Sequence, residues 1–257
     1  MTPSRKPHPH TLPATARATV PATLTTTLTT TLTATVPSAW RQDLWRRLRR
    51  LFWLKFIGIS AFMWLFFVGY FHLLRNPVRA VTEMPLTLLD HWVSFQPAAL
   101  AAYFSLWVYV GIPAGLMPNF RQLLAYGLWV GALCLTGLAI FYAFPTAVPR
   151  PDLPLDVALY PGFALLQGVD AAGNACPSLH VASALFSAFW INRLLQRIGT
   201  PWQLRALNAL WLLLIVYSTM AIKQHVALDV AGGMLLALLF VVPSMRWFPA
   251  EPTPRAR

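Results

Sequence analysis

The feature that most limits the fold of this chain is a series of six apolar stretches, each long enough to cross a bilayer as a helix. A transmembrane helix needs about 20 mostly apolar residues, because the hydrocarbon core of a bilayer is about 30 Å thick. Only 11% of the residues are charged, which is far below the share in an ordinary soluble domain. We therefore predict an all-α, polytopic membrane protein with six transmembrane helices, at roughly residues 52–73, 98–117, 123–144, 178–198, 204–222 and 227–248.

The segments that flank these spans differ from them in composition. Residues 1–38 have no aromatic residue and are dominated by Thr and Pro, so we predict a disordered N-terminal tail. Residues 39–51 alternate arginines with apolar residues at helical spacing, which predicts a basic amphipathic helix at the membrane interface. The membrane domain then covers residues 52–248, and residues 249–257 form a C-terminal tail.

The net charge of +12 predicts the orientation of the spans in the membrane. With the N-terminus in the cytoplasm, only four of the 20 Lys and Arg residues fall on the far side, namely Arg75, Arg79, Arg150 and Lys223. This asymmetry follows the positive-inside rule. We expect an integral membrane protein with both termini cytoplasmic. We expect no nucleic-acid binding, because the basic residues flank spans and form no patch interleaved with aromatic residues.

The first polar cluster, NACPSLHVA, stands where the fourth span begins on the outer side and contains Ser178 and His180. Pro177 fits the first position of a helix, which places both side chains in the first turn. The free N–H groups and partial positive charge of a helix N-terminus favour anions. An ordinary helix start that happens to carry a histidine is the alternative interpretation of this cluster.

The second polar cluster lies between the fifth and sixth spans. If this stretch is helical, Ser218, His225, Asp229 and Gly233 follow one face. A carboxylate one turn from an imidazole can hold its tautomer and raise its basicity. A His–Asp pair that only caps two helix ends is the alternative. Lys223, two residues before His225, would lie on nearly the opposite side of such a helix, pointing away from a shared site.

The third cluster is Arg150 between two prolines in the long outer loop. The parity of six spans brings all three clusters to the same membrane face. Two imidazoles, a carboxylate, a guanidinium and a helix N-terminus suit phosphoryl transfer without a metal, with one histidine attacking phosphorus and the other protonating the leaving oxygen. We expect no cofactor. Metal binding is the competing use, and it is less favoured because no third His or Cys ligand is well placed.

The three clusters resemble the motifs of the type 2 phosphatidic acid phosphatase superfamily, which read Lys-x6-Arg-Pro, Pro-Ser-Gly-His and Ser-Arg-x5-His-x3-Asp. The resemblance covers about residues 50–248, and six helices are that family's architecture. The matching residues are Arg150-Pro151, Pro177-Ser178-Leu179-His180, and Ser218, His225 and Asp229.

Two residues depart from the family's pattern: Ala143 stands at the motif lysine and Thr219 at the motif arginine. Leu179 within the second motif, and Ser-Thr before the last histidine, are more similar to the branch that contains inositol phosphorylceramide synthases. That branch transfers a phosphoryl headgroup between lipids. The resemblance therefore leaves hydrolysis and transfer both open.

The resemblance implies a role for each matching residue. His225 would be the nucleophile that forms a phosphohistidine, Asp229 its orienting partner and His180 the general acid. The phosphate would be contacted by Arg150, Ser178 and Ser218, with Lys223 as a weaker candidate.

The implied protein is a metal-independent membrane phosphatase acting on a lipid phosphate ester or diphosphate, with its active site on the extracytoplasmic (periplasmic) face. The first alternative is a lipid headgroup phosphotransferase with a lipid alcohol acceptor. The second is a non-catalytic membrane scaffold or transporter. The outer loop that contains Asp90 and Trp92 is a candidate for the lipid entrance.

Overall fold

The computed structural model describes residues 39–149, 162 and 173–249. The chain divides into two units, Met1–Ala39 and Trp40–Arg257, and almost all described residues belong to the second. The predicted tail at residues 1–38 lies outside the described residues. The described helices are α1 (Ala39–Arg49), α2 (Phe52–Arg75), α3 (Leu88–Trp92), α4 (Leu100–Tyr109), α5 (Ile112–Leu116), α6 (Phe120–Ala143), α7 (Leu179–Ile198), α8 (Trp202–Ala221) and α9 (Ala227–Arg246), with a 3-10 turn at Pro97–Ala99.

Five of the predicted spans are confirmed as helical segments long and apolar enough to cross a membrane. Within the described ranges these are Phe52–Arg75, Pro97–Leu116, Phe120–Ala143, Trp202–Ala221 and Ala227–Arg246. The remaining span, predicted at 178–198, forms the helix α7 but is not among them, so the count of six is not confirmed. Arg193, Arg197 and other polar residues lower its hydropathy.

Helix α7 has a central position in the bundle. Twelve of its 20 residues are buried, more than in any other described helix. Phe186, Trp190 and Leu194 are fully buried, in one cluster with Tyr126 of α6 and Leu236 of α9. The polar residues that lower its hydropathy lie mostly towards its C-terminal end, where Arg193 is half-buried and Gln196 and Arg197 are exposed.

The second predicted span is broken near its inner end. Helix α4 ends at Tyr109, and α5 begins at Ile112 with Pro113 in its first turn. Proline has no N–H group to donate and its ring obstructs the preceding turn, so a continuous helix through this point is disfavoured.

The first span, α2, packs much more loosely than α7. Among its 24 residues only Lys55 and Leu74 are buried. The ammonium group of Lys55 donates hydrogen bonds of 2.7 Å to the carbonyl oxygens of Arg47 and Gly115. Lys55 thereby fixes one end of α2 to α1 and α5, while most of the helix surface stays exposed.

The outer loops pair through two short parallel strands, β1 (Thr82–Glu83) and β2 (Thr146–Ala147). Thr146 also bridges to Asn174, and its hydroxyl accepts a 2.8 Å hydrogen bond from the amide of Cys176. The segment that leads into α7 is therefore fixed to the ends of α2 and α6. These strands are a small departure from the all-α prediction.

Candidate active site

The first half of the site is the N-terminus of α7. Ser178 is the N-cap residue, and its side chain accepts a 3.3 Å hydrogen bond from the amide of Val181. Pro177 therefore precedes the N-cap, two positions earlier in the helix numbering than predicted, and the serine hydroxyl satisfies one of the free amides. His180 follows in the first turn of the helix.

The second half of the site is the link between α8 and α9, and it is not the continuous helix considered above. Helix α8 ends at Ala221 and α9 begins at Ala227. Lys223 adopts a left-handed conformation with φ of 59°. Because the chain turns back there, the amides of Gln224 and His225 both donate to the carbonyl oxygen of Thr219, at 3.1 Å. Ser218 and Asp229 thus belong to different helices.

His225 faces Asp229 despite the break. The distance from His225 Nδ1 to Asp229 Oδ2 is 3.5 Å, and both side chains are buried. The same carboxylate oxygen accepts a 3.1 Å hydrogen bond from the amide of Val226, which fixes its direction. Among the described residues, neither Nδ1 nor Asp229 Oδ1 has a hydrogen-bond partner. A small approach of the two groups would make the carboxylate the partner of Nδ1.

His180 lies beside His225, with ring centroids 5.8 Å apart. Its other neighbours are aromatic: Tyr103 stacks on it at 4.3 Å and Trp107 meets it edge-on at 5.2 Å. Within the described part of the chain its Nε2 is buried and has no hydrogen-bond partner. Reacting atoms in enzymes are held about 3–3.5 Å apart. One phosphoryl group between the rings could therefore be reached by both imidazoles.

The close crossing of α7 and α9 brings the two halves together. The amide of Ser178 donates a 2.9 Å hydrogen bond to the carbonyl oxygen of Asp229. A β-carbon on Gly233 would lie far inside contact distance of the Ser178 carbonyl oxygen, and one on Gly232 would meet Cys176 Sγ at 3.2 Å. Only glycine permits this approach, which sets the spacing between His180 and His225.

The predicted phosphate contacts fall into three groups. Ser178 and Ser218 are fully buried, and the hydroxyl of Ser218 donates to the carbonyl oxygen of Ile215 within its own helix, at 2.6 Å. Lys223 donates its ammonium hydrogen bonds to the carbonyl oxygens of Asp90 and Val93 in the first outer loop. Arg150 lies outside the described residues.

Cys176, which lies next to the site, carries a thiol, a side chain that can act as a nucleophile when it is deprotonated. Burial, and then the negative charge of Asp229, raise the pKa of its thiol to about 11. The thiol is therefore protonated at neutral pH, and a protonated thiol is a poor nucleophile. Cys134 and Cys176 are both free. No group of three His, Cys, Asp or Glu side chains within the described ranges is arranged to hold a metal ion.

Four residues of the site region did not emerge as site residues from the sequence. Tyr103 and Trp107 pack on His180, Thr146 joins α6 to the α7 entry, and Asp90 binds the α8–α9 link. Aromatic residues within an apolar span, or a threonine just after a span, have no local sequence feature that marks them as site residues. Asp90 was visible only as an acid in the loop considered for the lipid entrance.

A cavity of about 700 Å³ extends from the site between α2 and the bundle. His180 and Gln224 line it, and most of its other lining residues are apolar or aromatic. They come from α2, α4, α5 and α6 and include Ile59, Phe62, Phe66, Tyr70, Phe104 and Leu123. The loose packing of α2 is what leaves this space.

Comparison with known proteins places the chain in a family. A family model described as the PAP2 superfamily matches residues 79–242, well over half of the chain. No curated protein and no solved structure gives a significant match. The matched range contains both histidines, Asp229 and the crossing of α7 with α9. PAP2 superfamily members are generally phosphatases, and membership indicates a phosphatase or phosphotransferase of this type. The chain belongs to the PAP2 superfamily.

Proposed function

We propose that this protein is an integral membrane phosphatase that cleaves a lipid phosphate ester or diphosphate through a phosphohistidine on His225. The observation that carries this proposal is the apolar cavity that ends at His180. A substrate for such a site needs a phosphoryl group at one end and a long apolar body at the other. A lipid phosphate has both.

The order of groups along the cavity supports a separate role for each of the two histidines. His180 lines the cavity, whereas His225 lies beyond it, next to His180. A lipid chain in the cavity would therefore place its terminal oxygen beside His180 and its phosphorus towards His225. The leaving group is the lipid oxygen, so the histidine nearer the cavity is the one suited to protonate it.

The dimensions of the cavity support a long chain. Its lining residues on α2 run from Leu54 to Leu74. At about 1.5 Å per residue this is a length of about 30 Å, close to the thickness of the hydrocarbon core of a bilayer. Long acyl or prenyl chains match this length. A small soluble phosphate ester would leave most of the cavity unfilled.

The contacts of the two histidines support the following reaction. Nδ1 of His225 faces Asp229, so Nε2 is the atom that attacks phosphorus. The P–N bond forms, the bond from phosphorus to the lipid oxygen breaks, and protonated His180 gives its proton to that oxygen. His180 then takes a proton from water, the water oxygen attacks phosphorus, and the P–N bond breaks to release phosphate. Asp229 stabilises the positive charge on His225.

We also propose that the site faces away from the cytoplasm. The basic helix α1 leads into one end of α2, while the α7 entry lies at the other end, where the side-chain amide of Asn174 donates to the carbonyl oxygen of Tyr70 at 3.0 Å. Positively charged flanks favour the cytoplasmic side. The termini are then cytoplasmic and the site is extracytoplasmic. In this proposal residues 1–38 are the tail and 52–248 the catalytic domain.

Transfer to a lipid alcohol is the second candidate, favoured by the Leu179 and Thr219 departures shared with the inositol phosphorylceramide synthase branch. Both reactions share the phosphohistidine step and differ only in the acceptor. Phosphate release without any lipid alcohol identifies the phosphatase. Phosphorylated acceptor without free phosphate identifies the transferase.

The test uses the full chain in lipid vesicles with a ³²P-labelled diacyl lipid monophosphate or a labelled polyprenyl diphosphate. We expect turnover and an acid-labile labelled protein, both lost by about 10⁴-fold or more in His225→Ala. His91→Gln, an exposed histidine of the outer loop, is the matched control and should retain both. Wild-type turnover in His225→Ala would overturn the mechanism. A complete lack of turnover and labelling in the wild type would favour the scaffold alternative.

A further inference from the structure

The link between α8 and α9, residues 222–226, holds His225 outside any helix. Its backbone amides bond back to the last turn of α8, and those of Gln224 and His225 share one acceptor there, the carbonyl oxygen of Thr219. Lys223 has a left-handed backbone conformation that non-glycine residues rarely adopt. Such a conformation persists where surrounding contacts enforce it.

Further contacts with the link come from Asp90, Val93 and Gln96 of the first outer loop, three residues that we name the outer strap. At one end of the link, the amide of Gln96 donates a 2.9 Å hydrogen bond to the carbonyl oxygen of Ala221. In the middle, the Lys223 ammonium donates to the carbonyl oxygens of Asp90, at 2.9 Å, and Val93. The strap therefore holds the chain just before His225.

At the other end of the link, Asp90 Oδ1 accepts a 2.8 Å hydrogen bond from the amide of Ala227, the first residue of α9. This amide is one of those that a helix leaves without an internal partner. The carboxylate of Asp90, from a distant part of the chain, thus caps α9 at Ala227, which is two residues after His225.

Asp90 is itself rigidly held. Its second oxygen, Oδ2, accepts hydrogen bonds from the amide and the hydroxyl of Thr87, at 2.7 Å and 2.8 Å. Burial alone would raise the pKa of this carboxyl, but the hydrogen bonds from Thr87 and Ala227 and the charge of Lys223 lower it overall. The group is therefore a carboxylate at neutral pH and accepts at both oxygens.

We propose that the outer strap positions the nucleophile, with Asp90 and Lys223 as positioning residues that hold His225 against Asp229 and next to His180. The inference rests on the proposed function of His225. It assigns Lys223 to the strap in place of the phosphate, and it assigns the loop a structural role in the reaction. Neither residue touches the reacting atoms.

The first test compares Asp90→Asn and Lys223→Met with the wild type and with His91→Gln, an exposed change on the same short helix α3. The proposal predicts that kcat and the rate of phosphohistidine formation fall at least tenfold in both variants while KM changes less than twofold. A rise in KM at constant kcat would overturn it, because that pattern indicates lost substrate binding. Lys223→Arg, which keeps the charge and donors, should recover most of kcat.

The second test does not depend on activity. Amide hydrogen exchange across residues 221–229 should accelerate at least tenfold in Asp90→Asn and Lys223→Met, and not in His91→Gln, in protein that still melts cooperatively. Unchanged exchange and unchanged kcat would overturn the strap. An inactive wild type with these exchange changes would refute the proposed function and leave the strap as a structural device.

Discussion

Helices pack tightly at the α7–α9 crossing and loosely on the α2 side of the cavity, within one bundle. At the crossing, helices approach so closely that Gly233 has no room for a β-carbon. Along α2, a β-carbon on Gly58 would meet nothing within 4 Å. Twelve residues of α7 are buried, against two in the longer α2.

The tight and the loose region would serve different needs of the proposed enzyme, namely the placement of the reacting groups and the binding of the lipid. The proposed phosphoryl transfer needs His180 and His225 at a fixed spacing, and close helix contact at small residues provides it. A lipid substrate needs an apolar space that it can enter from the bilayer, and a loosely packed first helix provides that. We expect substitutions at the crossing to affect chemistry and stability, and substitutions along the cavity to affect binding.

After His225, the largest effect should come from His180, and it should depend on the leaving group. His180→Ala removes the proton donor, so cleavage of a lipid phosphate should fall about 10²–10⁴-fold. The rate of cleavage of a nitrophenyl phosphate ester, whose leaving oxygen needs no proton, should fall less than tenfold. Initial rates with both substrates check this. Equal losses on the two substrates would contradict the general-acid role.

The crossing itself can be tested with a matched pair of glycine substitutions. Gly233→Ala places a methyl group against the backbone of Ser178, so we expect a loss of about 1–3 kcal/mol in stability and a lower kcat. Gly58→Ala adds the same group where there is space, and should gain up to about 1 kcal/mol from helix propensity. Thermal unfolding in detergent measures both. Similar melting shifts would remove the contrast between the two regions.

The smallest effect should come from filling the cavity. Gly127 lines it and has nothing within 4 Å of its β-position. In Gly127→Leu, displacing two methylenes of the lipid chain costs about 1.6 kcal/mol, or roughly a tenfold higher KM, at about 0.8 kcal/mol per methylene. The KM of a short-chain phosphate should not change. Leu135→Phe, on the exposed face of α6, is the control and should leave both constants unchanged.

Much of the membrane domain was predictable because hydropathy is a local property. The predicted segments 52–73 and 227–248 correspond to helices Phe52–Arg75 and Ala227–Arg246, with ends displaced by no more than two residues. The segment 178–198 is a helix as predicted, but its composition reflects protein contacts in place of lipid. Its burial depends on neighbours that hydropathy does not identify.

The pairing of His225 with Asp229 was predicted from the sequence, but the local structure that produces it was not. Spacing alone suggested that Asp229 partners His225, and the structure brings them to 3.5 Å. The prediction assumed one continuous helix with both residues on the same face. That helix does not exist, because the chain turns at Lys223 and Asp229 caps the start of α9. The roles of His180, Ser178, Ser218 and Arg150 in chemistry stay predictions.

The amino-acid sequence alone shows which segments are apolar enough to span a bilayer, where basic charge accumulates and which polar residues stand at the span ends. These depend on composition and on spacing along the chain. The central position of α7, the hold of the outer strap on the His225 link through Asp90, and the cavity that ends at His180 became visible only in the folded chain. These features arise from contacts between residues far apart in the sequence, such as Asp90 and Ala227, which are 137 positions apart. Local periodicity carries no information about such pairs, because side-chain packing selects them only when the helices come together.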